Sequence, residues 1–243
     1  MIAWLTPDQP FPPVTSALDS PNGLLAASAE LTAERLLVAY PQGIFPWYSQ
    51  DEPVLWWSPD PRMVLYTDEF KVSRSFAKTL RRAASDDAID LRLDTAFEAV
   101  VRCCAGPRNG DARTWITDSV ASAYADLHYR GLAHSVETWL RGELAGGLYG
   151  VALGRMFYGE SMFSYAADAS KIALAALVQL LRIEHVRVID CQQNTRHLAS
   201  LGAREIPRQE FVAHLQRSVP APPINWKAYS GQRLNVLLNA HCS

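Results

Sequence analysis

Apolar residues recur along this chain with two different periods, and the switches between them mark out its elements. Spacings of three and four predict helices. Thr32 reads as an N-cap, with Leu31 and Leu36 as a hydrophobic staple, and that helix stops near Tyr40, before Pro41 and Gly43. Ser73 is placed to cap a second helix running to Arg82, and Asp94 to cap a third carrying Phe97, Val100, Val101 and Cys104. Thr117 opens a fourth with Val120, Ala123, Tyr124 and Leu127 on its buried stripe, closed by Gly131. Asp168 is expected to cap a fifth, with Ile172, Leu174, Leu177, Val178 and Leu181 inside. A short helix from Asn194 to Leu201 and a last one begun by Pro207 complete the set.

Alternation predicts strands at Met63–Tyr66, Ile89–Leu93, Ala133–Leu140 and His185–Gln192, with a glycine-rich hairpin between the last two. The order of elements describes an α/β (α+β) domain with a mostly antiparallel central sheet. A span rich in tryptophan and proline, Gly43 to Arg62, precedes it. Trp47 and its neighbours read either as an aromatic cluster sealing a minor domain or as a wall of a binding pocket. The chain therefore divides into a small N-terminal domain (1–62), a catalytic-sized domain (63–218) and an irregular tail (219–243).

The hairpin, Gly146 to Ser164, sets Met156, Phe157, Met162 and Phe163 around one carboxylate, Glu160. Glycine weakens a strand and marks a bulge or a close approach, and an acid among apolar residues is costly unless paired. Two readings stand: a half-open apolar pocket with one polar anchor, or an ordinary hairpin with Glu160 at its solvent edge. Strict alternation separates Phe157 from Glu160, so the pocket reading requires a bulge at Gly159 or its neighbours. On the strand HVRVIDCQ, Asp190 and Gln192 point the same way, for either a structural hydrogen bond or catalysis.

Composition narrows the classes. The chain has 243 residues and a formal net charge of −2, which argues against a protein that coats nucleic acid with a generally basic surface. One local basic face remains: Lys71, Arg74, Lys78 and Arg81 recur along one side of the second helix with Arg82 beside it, open to solvent or to phosphate. No apolar run approaches the ~20 residues of a membrane helix, and the N-terminus lacks a secretory pattern. The four cysteines form no C-x-x-C pair and the six histidines no H-x-x-x-H pattern, so neither zinc nor a disulfide framework is indicated. A reduced, cytoplasmic protein is expected. No P-loop, G-x-S-x-G or dinucleotide fingerprint follows a strand.

Ten segments occur in order: PNGLLA, GIFPW, WWSPDPR, TWIT, AHSVE, GGLYGVA, GESMFS, ASK, IDCQ and SLGA. Together they resemble the bacterial leucyl/phenylalanyl-tRNA–protein transferases, over roughly Pro21 to Leu215. The resemblance implies an aminoacyltransferase that moves leucine or phenylalanine, and also methionine, from its tRNA onto an N-terminal arginine or lysine, marking the protein for degradation in the N-degron pathway. It implies a C-terminal domain similar to the GNAT acyltransferase fold, no cofactor, no metal, no membrane, and a monomer. Carried over by position, the donor side chain would meet Leu148, Phe157, Glu160, Met162, Leu177 and Leu181, with Ser164 also at the substrate. Trp47, Trp115 and Tyr124 would flank the esterified adenosine, and Arg81 and Arg82 match a basic pair that would touch the tRNA body, which favours phosphate contact for this face. Leu148, Leu177 and Leu181 depart from the family's larger residues.

An aminoacyl ester is already activated, so the enzyme mainly aligns an amine with a carbonyl. Asp190, through Gln192, is expected to orient that amine and help accept its proton; a rival role for Asp190 is to anchor the acceptor's cationic side chain. Two other classes compete. An acyl-CoA-dependent N-acyltransferase would want a glycine-rich loop before the fifth helix, where the chain reads Tyr165-Ala166-Ala167-Asp168-Ala169. A non-catalytic module would bind tRNA ends without transfer.

Overall fold

The computed structural model describes residues 2–106 and 116–241. Two sheets carry the fold. The smaller, in order β1-β2-β4-β3, uses β1 (Ala3–Leu5), β2 (Leu24–Ser28), β3 (Phe45–Pro46) and β4 (Val54–Trp57). The PNG turn holds it to the following loop. Gly23, at φ +89, lies so close to Pro59 that an added Cβ would sit 2.5 Å from its backbone, and the Gly23 carbonyl accepts the Ser58 N–H at 2.7 Å. Only glycine fits there.

The larger sheet has seven strands in the order β11-β5-β10-β9-β8-β7-β6. They are β5 (Arg62–Tyr66), β6 (Ile89–Leu93), β7 (Ala133–Leu140), β8 (Glu143–Leu153), β9 (Met156–Ser164), β10 (Val188–Gln192) and β11 (Arg204–Ile206). All neighbours are antiparallel except β9 and β10, which the crossover helix α5 (Ala169–Ile183) joins in parallel. The expected mixed α/β class with a mostly antiparallel sheet is what the chain adopts.

Alternation divides the core between the two sheet faces. Tyr158 and Val188 pack toward α1 (Ala33–Ala39), α3 (Phe97–Cys104), α4 (Asp118–Tyr129) and the small sheet. Phe157 and Ile189 pack toward α2 (Arg74–Ser85) and α5. The first of these cores runs unbroken from the small sheet onto the large one, so the N-terminal unit and the larger sheet share apolar contacts across residue 62. The tail, expected to be irregular, holds two 3₁₀ turns, Trp226–Ala228 and Leu234–His241. These press Trp226, Leu234 and Leu238 into the second core. Asn235 locks it there, donating to the Ala83 carbonyl at 2.7 Å and accepting from the Leu91 N–H at 3.0 Å.

Local capping follows the sequence where the cap sits in extended backbone. Thr32, Ser73 and Thr117 accept from the N–H groups of Arg35, Phe76 and Val120. Two expected caps are corrected. Asp94 lies at φ 57, accepts from His134 and from the Ser135 N–H, and leaves the start of α3 to Glu137. Asp168 lies at φ 60 and pairs with Lys171, while Ser164 takes the Ser170 N–H at 3.2 Å at the head of α5. A left-handed residue turns its side chain away from the helix end, so another group completes the cap.

Candidate functional site

The site opens where two parallel strands part. β9 and β10 pair only through Phe157–Ile189 and Tyr158–Asp190; beyond these, both continue without pairing to each other. A pocket of about 840 Å³ occupies the gap. The expected bulge is present: Tyr149 faces Ser161 but its neighbour Gly150 faces Gly159, so Glu160 is the extra residue of β9. Glycine permits the crowding around it. An added Cβ on Gly150 would lie 2.5 Å from the Phe157 ring, and one on Gly146 would lie 2.6 Å from Ala169 at the start of α5.

The floor is apolar: Leu148, Phe157, Met162, Leu174 and Leu177 line it. Glu160 stands at one wall. Its Oε1 accepts from the Tyr40 hydroxyl at 2.7 Å and from Gln192 Nε2 at 3.1 Å, and its Oε2 from the Tyr124 hydroxyl at 2.6 Å. Loss of water pushes this carboxyl up to about 7, against the pull of the two hydroxyls. Asp190's charge raises it further and Arg62 lowers it. Burial, and then the nearby Glu160 charge, drives both tyrosine hydroxyls well above their ordinary range.

Asp190 lies behind this wall, fully buried. Arg62 meets it in a bidentate pair, Nε to Oδ1 at 2.8 Å and Nη2 to Oδ2 at 2.7 Å. The guanidinium is itself sandwiched, 4.6 Å from the Phe45 ring and 4.8 Å from that of Phe211, and donates to the Gly43 carbonyl at 3.1 Å. Asp190 Oδ1 also accepts the Gln192 N–H at 2.9 Å. That bond holds Gln192 at φ 59, a left-handed conformation costly for a side-chain-bearing residue. A register shift against β5 between Asp190 and Gln192 lets the strand turn there.

The fold brings nine of the expected site residues to one pocket: Trp47, Leu148, Phe157, Glu160, Met162, Ser164, Leu177, Asp190 and Gln192. Trp47 is 43% exposed at the rim, edge-on to Trp57 at 5.7 Å. Two others fall elsewhere. Tyr124 is fully buried, so it braces Glu160 rather than offering a face to an adenosine. Leu181 is buried in the core one turn past Leu177 and does not line the pocket. Trp115 lies outside the described residues. Arg74, Lys78, Arg81 and Arg82 stand exposed on α2, opposite buried Phe76, Leu80 and Ala83, with Arg82 paired to Asp86.

Sequence reasoning passed over Tyr40, Arg62 and Leu174. Leu174 could be found, three residues from Leu177 on one helical stripe. Arg62 carried a weaker signal, a charge opening a strand otherwise apolar through Leu65. Among the described residues no three His, Cys, Asp or Glu side chains group as a cation site would need.

Residues 64–216 match the family model described as leucyl/phenylalanyl-tRNA protein transferase, and residues 29–60 match that transferase's N-terminal domain. A relative of that name from Paraburkholderia xenovorans (strain LB400) is 60% identical over 230 residues, covering 93% of this chain and 94% of its own. Another, from Bordetella petrii, is 57% identical over 232 residues, covering 93% and 92%. Among solved structures, a GCN5-related N-acetyltransferase from Kribbella flavida overlaps 70% of this chain and 59% of its own at 10% identity and TM-score 0.35. The structure of L-PGS from Bacillus licheniformis overlaps 72% and 57% at 10% identity and TM-score 0.38. At those scores the structural likeness decides nothing about activity.

Proposed function

The chain belongs to the leucyl/phenylalanyl-tRNA–protein transferase family, and from that premise we propose how its pocket serves the transfer of an amino acid from an aminoacyl-tRNA to a protein. The donor side chain, leucine or phenylalanine and also methionine, lies on the floor of Leu148, Phe157, Met162, Leu174 and Leu177. Selection by shape between apolar side chains amounts to ~1–3 kcal/mol per methylene, so leakage to methionine is expected. Trp47 at the rim flanks the esterified adenosine, and the basic face of α2 meets the tRNA body through Arg74, Lys78, Arg81 and Arg82.

The acceptor is a protein beginning with arginine or lysine, and the product is marked for degradation in the cytoplasm. Its α-amine approaches the ester carbonyl beside Gln192, whose amide spans from Glu160 toward the pocket. The observation that carries this reading is the hydrogen-bonded pair of Glu160 and Gln192, standing over an apolar floor at the parting of β9 and β10. Asp190 acts as a positioning residue: it fixes Gln192 through that residue's N–H, and both its oxygens are already engaged by Arg62. The same pair weighs against Asp190 as anchor for the acceptor's cation, since a second cation would compete with a guanidinium held by two aromatic rings. An acyl-CoA reading has less support, because Ser164 occupies the Ser170 N–H at the head of α5 and Asp168 stands beside it.

The decisive experiment mixes the protein with Phe-tRNA carrying labelled phenylalanine and a protein beginning with arginine. Label is expected in the acceptor, and its absence would overturn the reading. Replacing Lys78 and Arg81 with alanine is expected to weaken tRNA binding. The slope of log affinity against log salt should also become shallower, by about one for each phosphate that no longer has a cation beside it.

A further inference from the structure

Three oxygen-bearing groups at the pocket wall meet in a triangle. The Tyr40 and Tyr124 hydroxyls are 2.6 Å apart, Tyr40 is 2.7 Å from Glu160 Oε1, and Tyr124 is 2.6 Å from Glu160 Oε2. Each contact is at hydrogen-bond distance, and each needs one proton between its oxygens. The two tyrosines supply two protons. Gln192 spends its amide on Oε1 and contributes nothing to the other edges. The third proton belongs to Glu160.

With Glu160 neutral the circuit closes. Its Oε2–H donates to Tyr124, Tyr124 donates to Tyr40, Tyr40 donates to Oε1, and Oε1 still has a lone pair for Gln192. With Glu160 ionised, both hydroxyls turn to the carboxylate and their own oxygens face each other at 2.6 Å with no proton between. The ring therefore has two states that differ by one proton. We propose that this ring is the acid–base group of the transfer, with Glu160 carrying the mobile proton. The role rests on the reaction proposed above.

The step balances. The open ring takes one proton from the acceptor's α-ammonium, and Glu160 becomes neutral. The free amine forms a C–N bond to the ester carbonyl, and the C–O bond to the tRNA ribose breaks. Glu160 returns its proton to the ribose oxygen, and the second proton lost by the amine passes to water. An N-terminal amine near ~8 and a carboxyl near the same range exchange a proton readily in both directions. The titratable and charged neighbours are Tyr40 at the end of α1, Tyr124 on α4, Asp190 on β10 and Arg62 on β5; Tyr149 on β8 acts on both tyrosines. Asp190 and Arg62 form one ion pair, so the rise that Asp190's charge causes at Glu160 and the fall that Arg62 causes oppose each other.

Infrared titration of the whole protein and transfer kinetics test this together. Wild type is expected to show the carbonyl band of a protonated carboxylic acid that disappears with a midpoint about 7, and Glu160→Gln, of the same shape, should lack it. In transfer, Glu160→Gln should lose about 10²–10⁴-fold in kcat with KM for Phe-tRNA little changed. Tyr124→Phe discriminates further. If the hydroxyls merely donated to a carboxylate, removing one would raise the midpoint; the ring requires it to fall, because the neutral state loses two bonds and the ionised state one. A rise, an absent band, or a Glu160→Gln variant as fast as an active wild type would each overturn the ring's role. A wild type that transfers nothing would overturn the reaction along with it.

Discussion

Gln192 is held at its main chain by one acid and at its side chain by another, and the two acids are stabilised in opposite ways. Asp190 faces a guanidinium, both oxygens paired, fully buried. Glu160 faces two hydroxyls and an amide, all neutral, and is only half-buried. A charged partner fixes both the geometry and the ionisation of a carboxylate. Neutral donors fix the geometry and leave the charge free to change. The molecule thus places an acid fixed in position by its counter-ion behind Gln192 and one held by neutral donors in front of it.

The largest effect should come from breaking the fixed side. Arg62→Ala strands Asp190 without a counter-charge, and is expected to cost about 3–5 kcal/mol in denaturant unfolding. Combining Arg62→Met with Asp190→Leu removes both charges and should recover most of that stability, yet transfer should stay lost because Gln192 no longer has its main-chain acceptor. A stable and fully active double variant would show that the pair positions nothing. Asp190→Asn, assayed with pre-charged tRNA at saturating acceptor, probes the same point: a lowered kcat is expected, and an unchanged rate would exclude any part for Asp190 in the chemical step.

The changeable side should show itself in pH. Glu160's folded value, about 7, lies above its unfolded one, so the folded state binds the extra proton. Its stabilising contribution is complete below the unfolded value of ~4.3 and is lost as pH rises through 7. Unfolding of wild type against Glu160→Gln between pH 5 and 8 should therefore diverge in favour of the variant as pH rises, by up to ~3 kcal/mol. A difference that stays flat over that range would mean Glu160 remains ionised throughout.

What the sequence showed and hid follows from distance along the chain. Thr32, Ser73 and Thr117 cap helices three residues away, and the bulge at Glu160 follows from its neighbour Gly159 and from alternation, all of it local. Arg62 meets Asp190 across 128 positions, and Tyr40 meets Glu160 across 120. No periodicity links such partners, so IDCQ by itself leaves Asp190 open to a structural hydrogen bond or to catalysis, and only the fold supplies its counter-ion. Tyr124 differs for a related reason: the resemblance implies contact with substrate, and the fold buries the residue against Glu160. Leu181 shares a stripe with Leu174 and Leu177, but the pocket spans only the turn nearer the head of α5.

A third acid sharpens the contrast at the smallest cost. Glu137 is fully buried on β7, and burial raises its carboxyl while its donors pull it down. Those donors are the N–H groups of Thr95 and Ala96, the hydroxyls of Thr95 and Ser135 and the Trp139 indole N–H, so its task is to cap α3 in place of Asp94. Glu137→Gln puts an amide N–H against these donors. A lost helix cap costs about 0.5–2 kcal/mol, and a fall of that size in unfolding free energy is the expected result. The pH midpoint of transfer should not move, because Glu137 does not line the pocket. If it did move, burial of a carboxylate anywhere on this sheet would suffice to shift the profile, and Glu160 would lose its claim to a special chemistry. If only stability falls, the difference lies in the partners: Glu137 is surrounded by donors that want it charged, and Glu160 closes a ring that wants its proton.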